Sequence, residues 1–412
     1  MKLKEKNFYP WIVVGLLWVV ALLNYMDRQM LSTMQQAMKA DIRELNQAEA
    51  FGALMAVFLW VYGIVSPFAG LVADKVSRKW LVVGSLFVWS AVTLLMGFAT
   101  NFHQLYILRG LMGISEALYI PSALSLLADW HQGKSRSLAI GIHMTGIYVG
   151  QAIGGFGAVV AAMLSWKETF HWFGVIGIAY SLFLMALLHE NPNHGQAAPG
   201  AGPEGKKASL FSGFAVVLSN WAFWVILFYF AVPSLPGWAT KNWLPTLFAE
   251  NLGIPMENAG PISTITIAAS SFVGVICGGF LSDKWVQRNL RGRIYTSAIG
   301  LGLTIPSLVL LGYGHSMAAV VGAGLLFGIG YGMFDANNMP ILCQFIPSRY
   351  RATAYGIMNM TGVFAGAAVT QVFGKWADGG SLGSGFALLG GIVAVALVLQ
   401  LATLKPKTDN ME

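Results

Sequence analysis

Long apolar runs follow one another along this chain, separated by short polar stretches. Runs long enough to cross a ~30 Å hydrocarbon core, at ~20 residues each, can be counted directly. They lie at 11–36, 50–72, 79–99, 103–128, 136–161, 167–188, 221–249, 257–282, 292–313, 316–344, 350–376 and 384–404, so the expected structure has twelve membrane-spanning helices. The longest polar interruption, His189 to Ser209, carries Asn191-Pro192-Asn193, Pro199-Gly200, Gly202-Pro203 and Lys206-Lys207. Such turn-forming residues make a linker. It divides the spans six and six: an N-terminal bundle over 1–188, a cytoplasmic linker over 189–220 with a possible surface helix from Leu210 to Asn220, and a C-terminal bundle and tail over 221–412.

Composition agrees with the spans. Hydrophobic residues make up 56% of the chain and charged residues 10%, and the mean hydropathy is +0.62. Soluble proteins are about 25% charged, so this is an all-α integral membrane protein. The formal charge of +7 needs no nucleic-acid partner, because most Lys and Arg fall in alternate loops. Cytoplasmic loops carry the excess of basic residues, which places both termini in the cytoplasm. Cys277 and Cys343 sit in apolar runs and read as packing residues. Met1-Lys2-Leu3-Lys4 leads into the first span without a small-residue cleavage site, so that span is read as retained.

The two halves echo each other. Gly70-Leu71-Val72-Ala73-Asp74-Lys75, continuing to Arg78-Lys79, follows the second span, and Gly279-Phe280-Leu281-Ser282-Asp283-Lys284, continuing to Arg288, follows the eighth. Arg-x-x-Ala-x-Gly-Ile occurs at Arg136, Ala139, Gly141, Ile142 and again at Arg351, Ala354, Gly356, Ile357. A duplicated six-helix unit builds two pseudo-symmetric bundles with a shared mid-membrane site.

Charges inside spans mark candidate chemistry. Asn24-Tyr25-Met26-Asp27-Arg28 places an acid and a base side by side four residues past the apolar run Trp11 to Leu23. Either charge costs ~2.5–3.5 kcal/mol at the bilayer centre, so both are expected to face a partner or a water-filled cavity. In span four, Arg109 and Glu116 are seven residues apart, two helical turns, and share a face. A carboxyl amid Met, Ile, Ala and Leu can exchange a proton as its neighbours change. The alternative is a structural ion pair tying span four to span one.

Other polar residues could line a cavity. Span five offers His143, Thr145, Tyr148 and Gln151, with His143 either a proton carrier or a neutral hydrogen-bonded side chain. Pro233, Pro236 and Gly237 predict a break in span seven ahead of Trp238 and Lys241. Lys241 is either a second cation for an anionic ligand or a side chain reaching the interface. In span ten, Asn337 and Asn338 could bond sugar hydroxyls or glue helices together, and Tyr25, Trp238 or Tyr331 could stack on apolar sugar faces. Tyr62 and Asn359 are further candidates.

The paired loops are similar to the signature loop of the major facilitator superfamily. That resemblance implies gating roles for Asp74, Arg78, Asp283 and Arg288. Asn-Tyr-Met-Asp-Arg in span one, with Arg-(x)6-Glu-Ala and a following Pro in span four, resembles the anion:cation symporter branch, which includes bacterial hexuronate and galactonate importers and sialin-type carriers. The resemblance implies that Arg28 binds a substrate carboxylate, that Asp27 and Glu116 are the protonatable pair with Arg109 as their neighbour, and that Tyr62 and Asn359 belong to the site. It further implies proton-coupled uptake of a sugar acid by alternating access, a monomer in the bacterial inner membrane, and no cofactor beyond the proton gradient. Departures occur: Asp129-Trp130-His131-Gln132-Gly133-Lys134-Ser135-Arg136 replaces the branch's Trp-Phe-Pro and Glu-Arg loop, and Tyr119 resembles spinster-type lipid carriers, so a carrier of an amphipathic lipid or drug is the alternative. An enzyme is not expected: the seven His are scattered, and no Gly-(x)4-Gly-Lys-Ser/Thr phosphate loop is present.

Overall fold

The computed structural model describes residues 8–131, 135–191, 217–347 and 350–409, with the side chains of 70, 71, 73–75, 137 and 352 not described. Its described residues form helices and no strand. The first half contains α1 (Tyr9–Leu31), α2 (Ala48–Lys75), α3 (Arg78–Met96), α4 (Phe102–Ala117), α5 (Tyr119–Trp130), α6 (Arg136–Gly154), α7 (Gly157–Leu164) and α8 (Trp166–Leu187). The second contains α9 (Trp221–Leu252), α10 (Met256–Val286), α11 (Gly292–Tyr313), α12 (Met317–Asp335), α13 (Asn338–Phe345), α14 (Arg351–Asp378) and α15 (Leu382–Thr403). Short turns at Gln35–Met38 and Arg43–Asn46 join α1 to α2.

Eleven described helices or near-continuous pairs are long and apolar enough to span, and the bent pair α6–α7 makes a twelfth. This matches the expected count. Large side chains such as Phe68, Ile107, Phe183 and Val398 remain on the outside, as a lipid-facing surface requires.

Three expectations change in detail. Span five bends by 47° between α6 and α7, where the consecutive glycines Gly154 and Gly155 weaken the helix. Span seven is not broken: α9 runs through Pro233, Pro236 and Gly237 as one 32-residue helix. Within it Ser234 Oγ donates to the Phe230 carbonyl at 2.7 Å and Thr240 Oγ1 to the Pro236 carbonyl at 2.9 Å, each back onto its own preceding turn. Spans four and ten, continuous in the sequence reading, are instead interrupted at Leu118 and at Ala336–Asn337. Each interruption begins near the carbonyl that a proline four residues on, Pro121 or Pro340, cannot bond. The linker from 192 to 216 lies outside the described residues, and with it most of the expected surface helix; Val217 to Ser219 form a helical turn.

The chain divides into two compact units. Unit 1 holds residues up to His194, Lys241–Ala268 and Thr370–Gly379, and unit 2 holds the rest. In unit 1, α1 packs on α6, α2 on α4, and α3 on both α4 and α8. In unit 2, α11 packs on α12 and α15. The third span of each half thus leans on the fourth and the sixth, a pairing that duplication explains.

Close packing of α1 on α6 sets the site. A Cβ on Gly150 would lie 2.3 Å from the Leu22 carbonyl, so only glycine lets the two backbones meet there. Gly146 and Gly154 repeat this contact one turn away, against the Trp18 and Met26 carbonyls. This seam fixes the rotation of α1.

Candidate functional site

With α1 so oriented, Asn24 and Arg28, four residues apart, point the same way toward α4. Arg28 Nε donates to Glu116 Oε2 at 2.5 Å, and Asn24 Nδ2 donates to the same oxygen at 2.9 Å. Glu116 is fully buried, and the Arg28 side chain is 11% exposed. Its guanidinium lies 4.8–5.0 Å from the ring centroids of Phe58, Tyr62 and Tyr25, within cation–π range. Asp27, 100° round the helix, turns to α3 instead, where Thr93 Oγ1 donates to its Oδ2 at 2.6 Å.

Arg109 is also buried but does not ion-pair with Glu116. Its guanidinium sits 4.8 Å from the Phe58 ring centroid, and Nη1 approaches the Met112 sulfur at 3.0 Å. The ion pair between spans four and one therefore exists, made by Arg28. Phe58 is shared by two guanidinium groups. Arg28 Nη2, Glu116 Oε1 and Asp27 Oδ1 are buried and make no hydrogen bond. Arg109 Nε and Asn24 Oδ1 are likewise buried without a hydrogen bond, so two donor nitrogens and three acceptor oxygens remain for exchange of partners.

On α6, Tyr148 is half-buried and Gln151 is buried. His143 is fully buried beside Tyr119, ring centroids 6.0 Å apart, and the Tyr119 hydroxyl donates to the Leu17 carbonyl at 3.0 Å. Lys241 belongs to unit 1, where its carbonyl accepts from Gln29 Nε2 at 2.8 Å.

Unit 2 holds the other candidates. Trp238 packs over Gly366, and Tyr331 over Gly237. Asn337 and Asn338 are buried at the interruption between α12 and α13: Asn337 Nδ2 donates to the Met333 carbonyl at 2.8 Å and Asn338 Nδ2 to Asp335 at 3.2 Å. Their Oδ1 atoms make no hydrogen bond. Asn359 is half-buried on α14.

Of the loop residues, Arg78 pairs with Asp129 at the end of α5, and Glu190 accepts from Ser77 Oγ at 2.8 Å, pinning the start of α3. The Asp74 side chain lies outside the described residues. Asp283 and Arg288 are exposed, while the neighbouring Arg291 and Arg293 bond the Leu401 carbonyl and Asp409. Sequence reasoning passed over Asn24, Phe58, Thr93 and Gln29 as site residues. Asn24 had a signal in its four-residue spacing from Arg28; Thr93 had only its polarity within an apolar run.

The family model described as Major Facilitator Superfamily matches residues 17–370. The chain belongs to that superfamily. Members are named as transporters, and this protein is a multi-pass membrane transporter, not an enzyme. It is 27% identical over 412 residues to the D-galactonate transporter of Escherichia coli O6:H1, covering 94% of this chain and 93% of the relative. It is 23% identical over 415 residues to the hexuronate transporter of Bacillus subtilis, covering 96% and 94%. These relatives are consistent with the anion:cation symporter branch. A bacterial homolog of the human lysosomal transporter Spinster, solved in an inward-facing and occupied conformation, superposes with a TM-score of 0.83 at 18% identity, covering 99% of this chain and 100% of that one. That likeness shows the shared fold.

Proposed function

We propose that this superfamily member carries a small sugar acid, a hexuronate or an aldonate, into the cell together with protons, across the bacterial inner membrane and with both termini cytoplasmic. The observation that carries the reading is the Arg28–Glu116 pair, with Asp27 next to Arg28 along the chain. Arg keeps its charge at every working pH and grips carboxylates with paired donors. Glu116 occupies Arg28 as a substrate carboxylate would.

Exchange follows from that competition. Protonation of Glu116 removes the negative charge that holds Arg28, and the incoming carboxylate takes its place. Asp27 receives the second proton. After release of substrate and protons inside, Glu116 returns to Arg28 and the empty carrier reorients. Within unit 1, sugar hydroxyls would be met by Tyr148 and Gln151, and the apolar ring face by Tyr25 or Tyr62. Lys241 would supply a second positive charge. Names of the relatives support the cargo class, and the geometry supports the role of Arg28.

The test uses proteoliposomes with an inward proton gradient and a pH dye inside. Hexuronate or aldonate should acidify the lumen, and Arg28→Ala should abolish the signal. Acid-independent movement of lysolipid, with no response to any sugar acid, would overturn this reading in favour of an amphipath carrier.

A further inference from the structure

The first turn of α2 has no cap of its own. Gln47, at its N-cap, makes no side-chain hydrogen bond, which leaves the opening N–H groups to be satisfied from elsewhere. Asp378, the last residue of α14 and 330 positions away in sequence, supplies them. Its Oδ1 accepts from the Ala48 N–H at 2.7 Å and its Oδ2 from the Glu49 N–H at 2.8 Å. Charge and dipole agree, since a carboxylate at a helix N-terminus meets partial positive charge.

Everything around this contact joins helix ends from the two sequence halves, all within unit 1. Lys375 Nζ lies 3.2 Å from Glu49 Oε1. Gly374 is pressed against the Ala48 carbonyl and Gly52 against the Thr370 carbonyl, with the Trp243 ring alongside Gly52 and edge-on to Phe51, ring centroids 6.3 Å apart. Asn242 Nδ2 donates to Thr370 Oγ1 at 2.7 Å and Trp243 Nε1 to the Thr370 carbonyl at 2.9 Å. Gln29, the residue after Arg28, reaches the Lys241 carbonyl.

We propose that Asp378 is a gating residue: its carboxylate clasps the N-terminus of α2 to α14 and holds this end of the helix cluster closed, opening once in each transport cycle. The chemistry suits repeated opening. Both partners, the Asp378 carboxylate and the first N–H groups of α2, are polar groups that water satisfies once they part. The flanking Lys375–Glu49 pair is half-exposed on both sides and adds little, which leaves Asp378 as the principal electrostatic tie. Gln29, next to Arg28 along α1, meets the Lys241 carbonyl, one residue before the Asn242 that donates to Thr370. The inference rests on transport by alternating access, not on the identity of the cargo.

Cross-linking tests it without a substrate. In the full chain, with Cys277 and Cys343 replaced by Ser, Glu49→Cys and Lys375→Cys should form a disulfide readily on oxidation. Adding Asp378→Ala should lower the yield at least threefold, with Asp378→Asn intermediate because its amide oxygen can still accept one bond. In parallel, a buried Thr370→Cys reporter should become accessible to a membrane-impermeant maleimide at least threefold faster in Asp378→Ala, while the melting temperature changes little. Equal cross-linking and equal labelling with and without the Asp378 carboxylate would overturn the proposal. So would a fall in melting temperature without added labelling, the mark of a purely structural cap; if Asp378→Ala does not fold, the same two readings on Asp378→Asn decide.

Discussion

Arg28 and Glu116 are joined across α1 and α4 by a 2.5 Å contact in which the carboxylate is fully buried, with Asn24 on the same oxygen. A buried pair of this kind is weak evidence of stability in itself, since desolvation offsets much of the attraction. Removing one partner is different, because it strands the other charge. Glu116→Ala should therefore lose ~3–5 kcal/mol of stability, while Glu116→Gln, which retains an acceptor for Arg28, should fold. Proton-driven accumulation by Glu116→Gln should drop at least tenfold while substrate exchange at equal pH persists. Full accumulation in that variant would remove Glu116 from the coupling mechanism.

Thr93 Oγ1 donates to Asp27 at 2.6 Å, and an intramolecular hydrogen bond of this kind is worth about 0.5–1.5 kcal/mol net. Thr93→Val keeps the shape and removes the donor, so uptake should fall several-fold with expression unchanged, and Thr93→Ser should restore it. Wild-type rates in Thr93→Val would mean that Asp27 is oriented by something other than α3.

The α1–α6 seam should not tolerate bulk. Gly150→Leu would drive its side chain into the Leu22 carbonyl, and overpacking of this sort costs ~1–3 kcal/mol. A thermal melt in detergent should show the loss, whereas Gly141→Leu, on an open face of the same helix with nothing within 4 Å of its Cβ position, should not. Equal melting temperatures for the two would contradict the close helix approach.

One acid outside the membrane gives a pH prediction. Lys167, followed by Trp166, donates to Asp41 and holds its carboxyl below the usual aspartate value. A lowered folded value means that the contact stabilises the protein above the ordinary value of about 4 and that this contribution disappears as pH falls through the lower folded value. Asp41 is 47% exposed, so solvent screening limits the contribution to under ~0.5 kcal/mol. Wild type and Asp41→Asn should differ slightly in melting temperature at pH 6 and converge at pH 3; a constant difference would place the effect in packing.

How much could be read without coordinates varied by feature. The twelve spans were legible because the bilayer imposes one length and one polarity on every crossing. Pro233 and Pro236 misled, because a proline within a membrane helix need not break it when the helix is held by its neighbours, and α9 runs on through both. Pro121 and Pro340 sit at real interruptions, and their matching places, in the fourth span of each half, follow from the duplication.

By itself the sequence determined the fold class, the duplicated halves and the presence of Asp27, Arg28, Arg109 and Glu116 within the membrane, since hydropathy and repeat spacing are properties of the linear chain. Tertiary structure alone decided who holds whom. Glu116 could have paired with Arg109 on its own helix, yet it pairs with Arg28, because the glycine seam of α6 turns α1 so that Arg28 and Asn24 converge on it. Asp378 and the first turn of α2 are likewise unrelated in sequence. Their contact depends on helix ends brought together in space, and no local pattern encodes that distance.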